Sequence, residues 1–146
     1  MLVNNRWVRA GGSLQEKPIS IQFREDWGLA KDSGLYSICV QIAWHASSRD
    51  ESTGYPATEE QARIVAFTEQ LQARLEPEED SVVVMMITHD GINQWIIYSR
   101  DLDQLKAGLE TIPTDSGLYP IEIVADEDPA WNTFIQVHER IGGEAV

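Results

Sequence analysis

Short stretches of alternating apolar and polar residues in the first third of the chain predict β-strands. The segment 18–23 is apolar at every second position, which is the period of a half-buried strand. The run 36–44 is apolar on both faces for part of its length, which predicts a central strand. An earlier segment around Trp7 and Val8 is expected to pair with the first strand across Gly11-Gly12-Ser13 and to form an N-terminal hairpin.

Apolar residues at steps of three and four predict three helices in the rest of the chain. The first begins at Thr58, where Gln61, three residues on, completes a capping-box pattern. The second follows Asp101 as its cap. The third opens at Asp128-Pro129, with the aspartate as cap and the proline in the first turn.

Three further strands lie between these helices. The segment 81–88 is strongly apolar, and 94–98 returns beside it after the Asp90-Gly91 turn signal. The last strand covers 119–124, and Pro120 predicts that it lies at a sheet edge, because proline cannot donate to a strand ladder.

The order of these elements predicts an α+β fold. From residue 36 the order is strand, helix, strand, strand, helix, strand, which is the ferredoxin-like split β-α-β sandwich of an antiparallel sheet with helices on one face. Extra N-terminal strands and a C-terminal helix would complete it. A chain of 146 residues is the usual size of one domain. We therefore expect a single domain over 1–146 with a core of about 18–141.

The charge of the chain narrows the range of partners. Lys and Arg total 11 against 24 Asp and Glu, which gives a formal net charge of −13. Such a surface repels phosphate backbones and anionic membranes, so neither nucleic acid nor a membrane is expected as a partner. A basic protein partner suits it, and the acidity also serves solubility. An exposed sheet face leaves a homodimer open.

The remaining composition favours the cytoplasm. The single cysteine, Cys39, lies in an apolar run and has no second cysteine for an internal disulfide. The first residues lack the pattern of a secretory signal, and no apolar run approaches the roughly 20 residues that span a bilayer. The chain has no phosphate-binding loop or dinucleotide fingerprint, so no cofactor is expected.

The segment 119–131, Tyr-Pro-Ile-Glu-Ile-Val-Ala-Asp-Glu-Asp-Pro-Ala-Trp, resembles the closing signature of a bacterial family labelled domain of unknown function 695. The early strand 19–21, the Gly54-Tyr55-Pro56 approach to the first helix and the segment 95–98 are also similar. The resemblance covers about 7–141 and implies a ferredoxin-like fold without an activity. The family is in turn distantly similar to regulator B of ribonuclease E activity, an acidic protein that acts by binding an enzyme.

The histidines give one candidate site. If the split β-α-β layout holds, His45 and His89 emerge at the same end of the sheet, where Asp90 and Tyr119 would join them. Such a group could perform acid–base chemistry or hold a divalent metal. The alternative is that each residue sits at a strand end beside a turn. The spacing of the three histidines marks no metal site.

A candidate partner surface is the other hypothesis. Acidic residues cluster on either side of the last strands, and two tryptophans lie in weakly patterned N-terminal stretches where they could anchor a partner. These residues are Trp7, Trp27, Glu78, Glu79, Asp80, Asp126 and Glu127. Because no catalytic constellation is evident, the leading hypothesis is a non-catalytic protein-binding or regulatory domain. The alternative is a small enzyme or a ligand- or metal-binding domain with its site at the His45/His89 end.

Overall fold

The chain forms an α+β fold, as the order of elements predicts, around one antiparallel sheet. The computed structural model describes residues 7–14, 17–24, 31–46, 55–75, 81–110 and 121–137. The strands are β1 (Trp7–Leu14), β2 (Lys17–Arg24), β3 (Ile38–His45), β4 (Ser81–His89), β5 (Ile92–Ser99) and β6 (Ile121–Glu127). The helices are α1 (Thr58–Leu75) and α2 (Leu102–Glu110), and a C-terminal helical segment covers 132–137.

The six strands lie in the order β1-β2-β4-β5-β3-β6, and every neighbouring pair is antiparallel. The apolar strands β4, β5 and β3 occupy the centre, where both faces of a strand are buried. The strands β1 and β6 are the two edges. The position of β6 at the end of the described sheet agrees with the edge prediction for the last strand, although Pro120, on which that prediction rests, lies outside the described residues.

The hairpin between β4 and β5 turns at Asp90 and Gly91, as predicted. Their φ angles are 45° and 80°, and a two-residue turn with both φ angles positive matches the right-handed twist of the strands it joins. Asparagine, aspartate and glycine tolerate this conformation better than other residues. The Asp-Gly pair therefore fixes the register in which His89 lies opposite Ile92.

The N-terminal hairpin forms, but the predicted turn at Gly11-Gly12-Ser13 is wrong. These residues belong to β1, and Leu14 pairs with Lys17. The observed register sets Val8 opposite Phe23, so apolar residues share one face. A reversal at 11–13 would leave most of β2 without a partner on that side.

The face of the sheet that carries α1 and α2, called here the helix face, contains an aromatic core. The rings of Trp44, Phe67 and Trp95 meet edge to face, with centroids 5.0 to 6.5 Å apart, in the geometry that aromatic pairs prefer. Leu71 of α1 and Leu105 of α2 are buried beside them. A fully buried side chain of this kind stabilises the fold by about 1.5–3 kcal/mol.

The other face of the sheet, called here the opposite face, is covered at one end by the C-terminal helical segment. Trp131 and Phe134 are fully buried there against strand residues that include Tyr98. The indole of Trp131 stacks on the Tyr98 ring at 4.2 Å between centroids, and its Nε1–H donates to the Tyr36 carbonyl. Helices therefore pack on both faces of the sheet.

The third helix begins later than the sequence predicts. Its first backbone bond runs from the Ile135 N–H to the Trp131 carbonyl, whereas Pro129 lies in a turn before it. Trp131 has φ of 59°, which a right-handed helix cannot accommodate. Asp128 still caps the helix, because its carboxylate accepts the N–H groups of Asn132 and Thr133.

Candidate functional site

The structure brings His45 and His89 to the same end of the sheet. Each is paired in register with Ile92 of β5, so the three residues form one row across β3, β5 and β4 on the opposite face. Two strand spacings separate the histidine backbones by roughly 10 Å. The side chain of Ile92 is partly exposed between them.

Other contacts at this end differ from the predicted group of four. The Nε2 atom of His45 lies 3.6 Å from the Glu122 Oε2 atom, and both side chains are largely exposed. Asp90 belongs to the hairpin turn, and Tyr119 lies outside the described residues. Within the described ranges, no three His, Cys, Asp or Glu side chains stand close enough together to hold a metal ion. The histidine site stays a prediction.

The edge strand β6 is the most exposed strand of the sheet. Every residue from Glu122 to Glu127 is exposed, and only Ile121 is half-buried. On its inner side β6 pairs with β3. No described strand pairs with its outer side, and the outward N–H and C=O groups of an edge strand form a template for pairing with another chain.

Alternation along β6 divides its side chains between the two faces. Glu122, Val124 and Asp126 are in register with Ala43, Gln41 and Cys39 of β3, respectively, which places all three on the opposite face. Val124 is 54% exposed to solvent, and Ile123, on the other face, is 47% exposed. The result is an exposed row of acid, apolar residue and acid, called here the acidic edge.

The predicted partner residues fall into three groups. Asp126 and Glu127 lie on β6 and are exposed, as expected for a contact surface. Trp7 is half-buried, and the Arg24 guanidinium lies over its ring at 4.9 Å from the centroid, so only part of the ring faces outward. The others, Trp27, Glu78, Glu79 and Asp80, lie outside the described residues.

Sequence reasoning missed Glu122 and Val124. The signal was present, because Glu122, Val124 and Asp126 alternate with Ile121, Ile123 and Ala125, and period two assigns them to one face. The closing signature predicts a helix start and carries no information on the exposure of β6. Only the sheet order shows that this face of β6 belongs to an outer strand.

The acidic residue of the closing signature has a structural role. Burial raises the pKa of the Asp128 carboxyl group, but hydrogen bonds from the Thr133 N–H, the Tyr98 hydroxyl and the Asn132 N–H outweigh that effect, so the pKa lies below its ordinary value. Burial and the bond to Asp128 raise the pKa of Tyr98. The pair therefore holds a neutral phenol against an ionised carboxylate.

The lone thiol lies beside this pair. Cys39 is buried, and burial raises the pKa of its thiol. A nucleophilic cysteine needs a lowered pKa and access to solvent, and Cys39 has neither. The described residues around the closing signature therefore form packing and capping contacts.

Comparison with known proteins gives a family and no activity. The model of a family of unknown function, DUF695, matches residues 5–137, which confirms the resemblance to that family. No curated protein and no solved structure matches the chain. In the part of the chain that the structure describes, no helix is both long enough and apolar enough to cross a membrane.

Proposed function

The chain belongs to this family of unknown function, and we propose that it is a non-catalytic protein-binding domain that receives an extended basic segment of another protein along β6. The observation that carries the proposal is the acidic edge, an exposed outer strand with carboxylates on either side of an apolar residue. Addition of a strand to an open sheet edge is a common mode of peptide recognition, in which main-chain bonds give affinity and alternate side chains give specificity.

We also propose that β3 to β6 form a ferredoxin-like core. In sheet order these strands are β4-β5-β3-β6, with α1 between β3 and β4 and α2 between β5 and β6 in the chain. This order supports a split β-α-β arrangement. In such a core β6 is an outer strand, and the N-terminal hairpin extends the sheet at the other side.

The spacing of the acidic edge defines the partner's sequence. Side chains directly opposite each other on neighbouring strands lie about 4.5–5.5 Å apart at Cβ. A segment that pairs with β6 places alternate residues opposite Glu122, Val124 and Asp126. Complementary chemistry requires Lys or Arg, then one residue, then Val or Ile, then one residue, then Lys or Arg. The net charge of −13 also attracts such a segment from a distance.

A second copy of the chain suits the acidic edge poorly. In an antiparallel pairing of two β6 strands centred on Val124, Glu122 of each copy lies opposite Asp126 of the other. Like charges directly opposite each other destabilise a strand pair. Charge complementarity therefore favours a basic partner protein.

The test is a peptide-binding titration with a charge swap. A peptide with the core Arg-Thr-Val-Thr-Arg is expected to bind. Deletion of a single residue between the arginines places them on different faces of the strand, so the shortened peptide is expected to bind more weakly. The Glu122→Lys/Asp126→Lys variant should lose about tenfold or more in affinity for the arginine peptide. The same variant should gain affinity for a peptide in which glutamates replace the two arginines.

The matched control is Glu59→Lys/Asp103→Lys, which changes the net charge equally at exposed positions on α1 and α2. Equal weakening by both variants would mean that only net charge matters, which would contradict an edge-specific site. Binding that ignores the position of the arginines would contradict strand addition.

A further inference from the structure

The helix face carries an open groove on the side away from β6. It lies between α1 and the strands β1, β2, β4 and β5, with a volume of about 490 Å³. Ligand sites for small molecules have volumes of about 300–1,000 Å³. This groove, called here the α1 groove, is separate from the acidic edge, because it lies on the helix face whereas Glu122, Val124 and Asp126 lie on the opposite face.

Asn93 lines the α1 groove with an unsatisfied amide. The residue keeps 6% of its exposure, and its Oδ1 accepts a hydrogen bond of 2.7 Å from the Thr88 hydroxyl. Its Nδ2 is buried and has no acceptor among the described residues. Buried amide donors are nearly always bonded, so an orphan of this kind calls for an acceptor beyond the described residues, such as a ligand or a water molecule.

Two more uncharged polar side chains line the groove from β2, two strands away from Asn93. Ser20 pairs in register with Thr88, which pairs with Asn93, so the three residues form a row across β2, β4 and β5. Gln22 lies on the same face two residues along β2. The side chains of Ser20 and Gln22 are half-buried in the groove, and each can both donate and accept hydrogen bonds.

The rest of the lining combines apolar surface with few charges. Ile64 and Val65 of α1, Met86 of β4 and Tyr55 contribute apolar surface to the lining. Arg9 and Glu69 are the charged lining residues, and they have opposite signs. A lining that offers hydroxyl and amide groups together with apolar surface matches a ligand that has both several hydroxyl groups and C–H surface.

We propose that the α1 groove binds a small neutral polyhydroxylated molecule, of the size of a mono- or disaccharide. A hydroxyl oxygen of the ligand accepts from the Asn93 amide, and neighbouring hydroxyl groups exchange hydrogen bonds with Ser20 and Gln22. The C–H face of the ligand packs on the apolar residues of α1 and β4. A neutral ligand is favoured over an anionic one because the chain carries a net charge of −13.

The experiment is a titration followed by two-dimensional ¹⁵N–¹H spectra of the full chain. The probes are glucose, galactose and maltose, with glucose 6-phosphate and the nucleoside uridine as comparisons. A neutral sugar is expected to cause saturable shifts of the Asn93 side-chain amide and of the Ser20 and Gln22 backbone signals. The Gln22→Ala variant should weaken that binding about threefold to tenfold, the value of one neutral hydrogen bond.

Gln41→Ala is the matched control, because Gln41 is also half-buried on a strand but faces away from the groove and bonds to Gln94. Equal weakening by both variants would overturn the site. Tighter binding of the phosphate ester or of uridine than of every sugar would overturn the ligand class. The absence of saturable shifts at Asn93 with any probe up to about 50 mM, well above a millimolar Kd, would overturn the proposal.

Discussion

The Tyr98 hydroxyl donates a hydrogen bond of 2.8 Å to the Asp128 carboxylate, and both residues are buried. This bond joins the middle of the sheet to the turn before the C-terminal helical segment. Asp128 also accepts the Asn132 and Thr133 N–H groups. One carboxylate therefore secures the strand, the turn and the helix start together.

We expect the Tyr98→Phe substitution to lower the free energy of unfolding by about 1.5–3 kcal/mol, because a bond to a buried charge is lost while the ring stays in place. Urea denaturation at pH 7 measures this change. In the Asp128→Asn background the same substitution should cost clearly less, because the charge has been removed. Equal costs in the two backgrounds would show that the bond contributes nothing specific.

Acidification should remove the stabilisation that Asp128 provides. Its pKa is lower in the folded chain than in the unfolded chain, so the folded state binds fewer protons at this site. The stabilisation is fully present above the unfolded pKa of about 3.9 and is lost as the pH falls through the folded value. The chain has 24 acidic residues, and many of them titrate in the same range. The contribution of Asp128 is therefore measured as the difference in free energy of unfolding between wild type and Asp128→Asn. That difference should shrink as the pH falls from about 5 to about 2. A difference that stays constant over this range would contradict the proposed role of Asp128.

Cys39 should resist alkylation in the folded protein. It is the one cysteine in the sequence, it is buried, and burial raises its pKa, so little thiolate forms. Iodoacetamide labelling at pH 8, followed by mass spectrometry, should be slow in buffer and complete in urea. Labelling at the rate of a free thiol in buffer would show that this part of the core opens readily.

The sequence predicts local features better than long-range ones in this chain. The Asp90-Gly91 turn follows from the φ angles that these residue types tolerate. The left-handed Trp131 could not be predicted, because the residues that hold its side chain, Tyr98 and Tyr36, lie more than 30 residues earlier in the chain. The orphan amide of Asn93 likewise results from the register between strands. The Thr88 hydroxyl donates to its Oδ1, and its Nδ2 has no acceptor among the described residues.

A zinc titration tests the histidine hypothesis. In the described residues, His45 is level with His89 but contacts Glu122, so we expect zinc to leave the melting temperature unchanged within about 1 °C. A true site at a hundredfold excess of zinc over its Kd would add about 2.7 kcal/mol and raise the melting temperature by roughly 5–10 °C. Stabilisation of that size that disappears in the His45→Ala/His89→Ala variant would establish the site.

Salt should weaken peptide binding at the acidic edge in a way that depends on Glu122 and Asp126. These carboxylates are exposed, so their attraction for arginines is screened over a Debye length of about 10 Å at 0.1 M salt. We expect affinity for the arginine peptide to fall steadily between 0.05 and 0.5 M salt, mainly through slower association.

The neutral variant Glu122→Gln/Asp126→Asn keeps the shape of the edge and should flatten the salt dependence. The Glu59→Gln/Asp103→Asn control loses the same amount of charge elsewhere and should retain most of the salt dependence. Surface plasmon resonance at several salt concentrations gives both rate constants. An equally steep salt dependence in the two variants would indicate diffuse attraction to the whole acidic surface, because pairing at the edge requires that the local carboxylates determine the slope.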